Sequence, residues 1–249
     1  MNQNHFVFGD ILSDKLMKRI NLREIDQIAK EWFHPYYSFI KLAKETTILG
    51  SGILGASKKN RESYAVSILA LALQESTKKD WWLHIPDKEP PDGYIVTFQE
   101  ELMKNKLGIK GKLREVEVVE HRSEDKTILQ RLKEKILYTS YDSDTVFVCL
   151  SLVSGVYDFK KLSDDLKNVS SKQSHAFIVM HGVPISSCAP RADLRLTAVQ
   201  LLPQFVSVTF DLSDQYKDFK KKFDTGREER LIENDMIHYG TRNLKFHKK

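Results

Sequence analysis

"PPDGYIVTF" (residues 90–98) and "REVEVVEH" (residues 114–121) decide how this chain is read. Each has the composition and alternation of a β-strand, and each carries carboxylates. Alternation puts Glu115, Glu117 and Val119 on one face of the second strand, and Arg114, Val116, Val118 and Glu120 on the other. Two carboxylates on one face repel, and if that face is buried a divalent cation is the usual compensation. Asp92 opens the first strand. If the two strands pair antiparallel, it comes beside Glu115 or Glu117. Oxygen donors without His or Cys suit Mg²⁺ or Mn²⁺ rather than zinc. A hydrated hard cation activates water and neutralises phosphate charge, the setting for phosphodiester hydrolysis. The same residues also describe a strand whose acids face water after an ordinary Pro-Pro-Asp-Gly turn. Spacing alone leaves both readings open.

Working outward, "RESYAVSILALALQES" (61–76) is dense in Ala and Leu and predicts a helix with much of its surface buried. "DWWLHIP" reads as a strand, with Trp81 and Trp82 on opposite faces, one in the core and the other able to stack on a base or a neighbouring element. "QEELMKNKLGIKGK" reads as a polar connection with a helical turn. After the acidic strand, "SEDKTILQRLKEKILYTSY" predicts a helix capped by Ser123, with Ile128, Leu129, Leu132, Ile136 and Leu137 as its apolar stripe. Lys126, Arg131, Lys133 and Lys135 lie opposite that stripe. "TVFVCLSL" is a buried strand, "DFKKLSDDLKN" a short helix, and "AFIVMHG", "AVQLLP" and "FVSVTFDL" extended pieces. Residues 10–45 show helical periodicity interrupted at Pro35. The tail from Gln215 is charged and reads as helical, with Lys220, Lys221 and Lys222 in a row. Helices interleaved with strands imply an α/β layered domain over 51–249, preceded by a helical accessory segment over 1–50.

The chain has 249 residues, 41% of them hydrophobic and 29% charged, enough for one large core and unlike a disordered composition. A net charge of +5 suits an anionic partner such as nucleic acid. The two cysteines, Cys149 and Cys188, form no metal-ligand spacing or disulfide framework, which points to a reducing compartment. No signal-peptide core and no long apolar run are present, so the expectation is a cytoplasmic protein without a membrane partner.

The order helix, strand, Pro-Asp-led strand, acidic strand, helix, strand resembles the restriction-endonuclease-like PD-(D/E)xK nuclease superfamily, over residues 58–182. The resemblance implies a three-layer core, a central mixed sheet flanked by helices. It also implies metal-dependent cleavage of nucleic acid, DNA favoured, with Mg²⁺ or Mn²⁺ as cofactor and a homodimer among the possible assemblies. Carried over, Asp92 is the first metal ligand, Glu115 the second, and Glu117 stands where the family usually has Lys; Glu62 on the 61–76 helix is the added acid. Some restriction enzymes of the superfamily carry Glu at that position. A second register takes Glu117 as ligand and Val119 at the Lys position. That register leaves no polar group to activate water and implies an inactive or rewired site, unless a lysine comes from elsewhere: Lys126 or Lys133 on the following helix, or Lys110 or Lys112 before the strand. Lys126, Arg131, Lys133 and His121 are the candidate nucleic-acid contacts. The alternative is a catalytically inactive protein of the same fold that binds nucleic acid or a protein.

Other signals carry less. "GSGILG" (50–55) matches G-x-G-x-x-G before a helix, but no ribose-binding acid follows the next strand. The eight histidines form no ligand spacing. "LVSGV" lacks the first Gly of a nucleophile elbow, and "STKK" (76–79) has no partner motif.

Overall fold

The computed structural model describes residues 8, 18–48, 53–88, 90–103, 106–122, 125–138, 141, 145–153, 156–168, 175–181, 195–212, 222–224, 230–233 and 236–239. In chain order the elements begin with β1 (Lys18–Asn21), α1 (Leu22–Ile28), β2 (Glu31–Phe33), α2 (Pro35–Ile48) and α3 (Lys58–Thr77). There follow β3 (Trp81–His84), β4 (Gly93–Met103), β5 (Lys106–His121), α4 (Ile128–Tyr138), β6 (Val146–Ser151) and α5 (Phe159–Lys167). The last are β7 (His175–His181), β8 (Arg195–Leu202), β9 (Val206–Asp211), β10 (Lys222–Asp224), β11 (Arg230–Glu233) and β12 (Met236–Tyr239).

Among the described residues, ten strands form one mixed sheet in the order β10-β2-β3-β4-β5-β6-β7-β8-β9, with β1 paired to β5. β10, β2, β3, β4 and β5 pair antiparallel in turn. β5, β6 and β7 are parallel, and β7, β8 and β9 antiparallel again. The parallel stretch requires crossovers, and α4 and α5 supply them. The fold class is therefore α/β, as the element order implies.

α3 begins where Ser57 accepts the Asn60 N–H at 3.2 Å, and ends at Lys78 in the left-handed region (φ 53°). Residues 64–73 are buried without a break. This is what an Ala- and Leu-rich helix with no polar stripe must do. One side meets Phe39 of α2, stacked on Tyr64 at 5.2 Å. The other joins the sheet face carrying Trp81, Leu83, Ile95, Val116, Val118, Val146 and Val148. The opposite face holds two clusters. Ile128, Leu132 and Leu166 of α4 and α5 cover Phe147, Cys149, Ala176 and Ile178. Ile25 and Ala29 gather with Trp32, Trp82, Val96, Phe98 and Leu113. Trp81 and Trp82 do lie on opposite faces; both are buried, and Trp82 packs on a neighbouring element, edge-on to the His34 ring at 5.8 Å, and not on a base.

Several elements differ from expectation. The described part of 1–50 is not wholly helical: β1 and β2 join the main sheet, and Trp32 is fully buried against it. Pro35 starts α2 rather than ending a helix, since its missing N–H costs nothing in a first turn. The stretch 99–112 is no polar connection; β4 and β5 continue as one long hairpin, paired as far as Met103↔Lys106. α4 starts five residues after the expected cap. Thr127 Oγ1 accepts the Gln130 N–H at 3.2 Å and Gln130 Oε1 accepts the Thr127 N–H at 2.8 Å, a reciprocal capping box. Ser123 lies outside the described residues. The tail, read as helical, contributes strands: β10 pairs with β2, and β11 pairs with β12. Lys220, Lys221 and Cys188 lie outside the described residues.

Candidate functional site

β4 begins at Gly93, which pairs with Val116, while β5 runs on to His121. A donor on that edge beyond Val116 has no ladder partner from β4 and must be satisfied otherwise. Asp92 does this: its Oδ2 accepts the Val118 N–H at 2.7 Å. The Pro-Asp turn thus folds a buried carboxylate (6% exposed) back against β5. One step beyond the Gly93↔Val116 pair, Asp92 comes level with Glu117.

Glu117 is 2% exposed. Its Oε2 accepts the Tyr141 hydroxyl at 3.0 Å and the Lys135 ammonium at 2.9 Å. Its Oε1 is buried with no hydrogen-bond partner among the described residues. Lys135 reaches in from α4, 31% exposed, and also lies over the Tyr141 ring at 5.4 Å from its centroid. Burial pulls the Lys135 pKa down, but hydrogen bonds with Tyr141 and Glu117 more than offset this, so the group sits above the ordinary lysine range and is a fixed cation. Tyr141 is held edge-on against Phe147 at 5.3 Å.

The other expected site residues fall around this pair. Glu115 shares the Glu117 face of β5 but is only half-buried, and it stands opposite Tyr94. Burial first, and then the Glu115 charge, raises the Tyr94 phenol pKa. Glu62 is buried on α3 (3% exposed) and pairs with Lys58 at 3.1 Å. It lies one turn before Val66, whose methyl would be 2.9 Å from a Cβ at Gly93. Glu62 therefore approaches the start of β4 from the face opposite Glu117. His121 is buried and packs edge-on to Tyr157 at 6.0 Å. Lys126 is engaged by Glu134 at 2.9 Å and Arg131 by Asp125 at 3.3 Å, so both expected phosphate contacts already have acidic partners. Lys133 is half-buried on the same helix. Lys110 and Lys112 lie where β5 pairs with β1, away from Glu117. Among the described residues, no three His, Cys, Asp or Glu side chains are grouped to hold a metal ion together. Burial pushes the Cys149 thiol up to about 12, which makes it a core residue and not a nucleophile.

Lys135 and Tyr141 are the residues that sequence reading missed. Lys135 was placed on the basic face of its helix. It lies seven residues after Ile128 and three after Leu132, both buried, so it shares their side of α4. That spacing was the available signal. Tyr141, beyond the helix end, gave none.

No family model, curated protein or solved structure matches the chain.

Proposed function

We propose that this chain is a metal-dependent phosphodiester hydrolase of nucleic acid, DNA in preference, on a restriction-endonuclease-like three-layer core. One observation carries the reading. A buried carboxylate, Glu117, has one oxygen with no hydrogen-bond partner among the described residues, next along β5 from the Val118 N–H that Asp92 accepts, while a lysine from the next helix holds the other oxygen. This favours the register in which Asp92 and Glu117 are the ligands. Glu115 is set aside as the more exposed acid. The amine missing from position 119 is supplied by Lys135.

The residues fit a hard cation. An unpartnered buried carboxylate oxygen is what a cation satisfies, and Mg²⁺ commonly takes only one or two protein carboxylates, leaving other positions to water and phosphate. When bound, such an ion polarises a phosphoryl oxygen and acidifies water. The chain's own groups do the rest. Tyr141 fixes Glu117 Oε2, so Glu117 cannot turn away. Lys135 places a positive charge where negative charge grows on the phosphate, and its N–H groups can orient the attacking water. The water oxygen bonds to phosphorus as the bond to the leaving sugar oxygen breaks; the water's proton passes to solvent, and the leaving oxygen takes a proton from solvent to depart as the hydroxyl. The net charge of +5 favours approach of a polyanion. No described helix is long and apolar enough to cross a membrane.

The test is cleavage of single- and double-stranded DNA and RNA by the purified chain with Mg²⁺ or Mn²⁺. Cutting that stops with chelator and falls roughly 100-fold or more in both Asp92→Asn and Lys135→Met, with melting behaviour retained, supports the proposal. Absence of cutting by a folded chain that still shifts labelled DNA would give the alternative, a binding protein on the same fold.

A further inference from the structure

We propose that the site takes a single divalent cation per chain, through Glu117 Oε1, and that Lys135 occupies the place where a second ion would sit. The inference rests on the reading above and concerns how many ions the site admits. Glu117 has two oxygens in unequal surroundings. Oε2 is saturated by the Lys135 ammonium at 2.9 Å and the Tyr141 hydroxyl at 3.0 Å. Oε1 is buried and has neither. A carboxylate clamped in this way offers a cation one oxygen and not a bidentate bite. Asp92 is similarly committed on one side, since Oδ2 accepts the Val118 N–H at 2.7 Å. Two acids that each have an engaged oxygen make a one-ion site, completed by water and a phosphate oxygen.

The lysine sharpens this. Two-metal phosphoryl sites hold their ions about 3.5–4 Å apart, usually across a shared carboxylate. On Glu117 the second bridging position is filled by Nζ of Lys135, which already carries a positive charge. A second cation there would have to displace the ammonium or sit against it, in a partly buried place where like charges interact strongly. Among the described residues, no third His, Cys, Asp or Glu is grouped with this pair to offset that cost. The site thus has one metal charge and one fixed side-chain charge.

The experiment is a Mn²⁺ titration of the full chain, read by calorimetry and by the loss of the free-ion spin-resonance signal, neither of which depends on activity. One ion per chain is expected, with affinity falling at least about tenfold in Glu117→Gln and in Asp92→Asn, each the loss of one charged ligand. Lys135→Met should bind at least about tenfold tighter or admit a second ion, because the competing charge is gone. Melting curves identify any variant that fails to fold; Asp92→Asn keeps an acceptor for the Val118 N–H and decides the matter if Glu117→Gln does not fold. Two ions in the unaltered chain would overturn the inference and leave metal-dependent cleavage standing. One ion untouched by either variant would place it elsewhere and overturn the inference. No ion with no cleavage would remove both this inference and the function it rests on.

Discussion

His34, at the start of α2, shows how far burial alone moves a side chain. Its Nδ1 accepts the Tyr36 N–H at 3.2 Å, its ring meets Trp82 edge-on at 5.8 Å, and burial lowers its pKa from 6.5 to about 4. The folded state therefore holds a neutral ring while the unfolded chain takes up a proton below pH 6.5. Stability from this group is fully present above 6.5, falls by about 1.4 kcal/mol per pH unit between 6.5 and 4, and is lost below that. Urea melts across this range should show the slope, and His34→Gln should flatten it. The same physics explains what was legible at Glu117. Strand parity marked it as sharing a face with Glu115, but parity cannot say which of two acids on one face is covered. Burial of Glu117 is decided by α4 and Tyr141, which arrive from 18 and 24 residues further along the chain.

At the scale of elements, the hairpin and the helix after it set the site. Gly111 lies under α1, where an added Cβ would overlap Ile25 Cδ1 and press on Val96. Gly111→Ala is expected to lower stability by roughly 1–3 kcal/mol through overpacking, read as a shift in the denaturation midpoint with an unchanged slope. The capping box has a separate test. Thr127→Ala removes the Gln130 N–H acceptor and should cost about 1 kcal/mol and loosen the first turn of α4, seen as faster amide exchange there. Because Lys135 is on α4, its grip on Glu117 depends on that turn being formed. The helix itself was legible from its apolar stripe. Its start was not, because Ser123 and Thr127 are both acceptable caps, and local sequence does not rank one above the other. The 99–112 stretch was misread for a related reason. Its many charged residues look like a loop until β1 is known to pair with Lys110–Leu113 and extend the sheet there.

At the scale of the whole molecule, the described part of the segment before residue 50 contributes two strands to the sheet. Trp32 of β2 packs with Trp82 of β3 in one cluster, and β2 bridges β3 to β10 from the far end of the chain. A chain starting at residue 51 would expose the Trp82 side of the sheet and leave β3 as an edge. It is expected to melt lower and less cooperatively, with Trp fluorescence shifted to the red before unfolding. The sequence by itself determined the alternation of helices and strands, and so the α/β class, because hydrophobic period is a local property. It also determined that Glu115 and Glu117 share one face of their strand, because side chains alternate along any strand, whereas the antiparallel pairing that brings Asp92 to that end of β5 came from the structure. Only the tertiary structure decided that Asp92 completes the β5 edge, that Glu117 and not Glu115 is the buried acid, and that the neighbouring amine is Lys135. Those outcomes depend on which distant surface covers which side chain. That is settled by how α4 and Tyr141 pack on the sheet, and no short window of sequence encodes it.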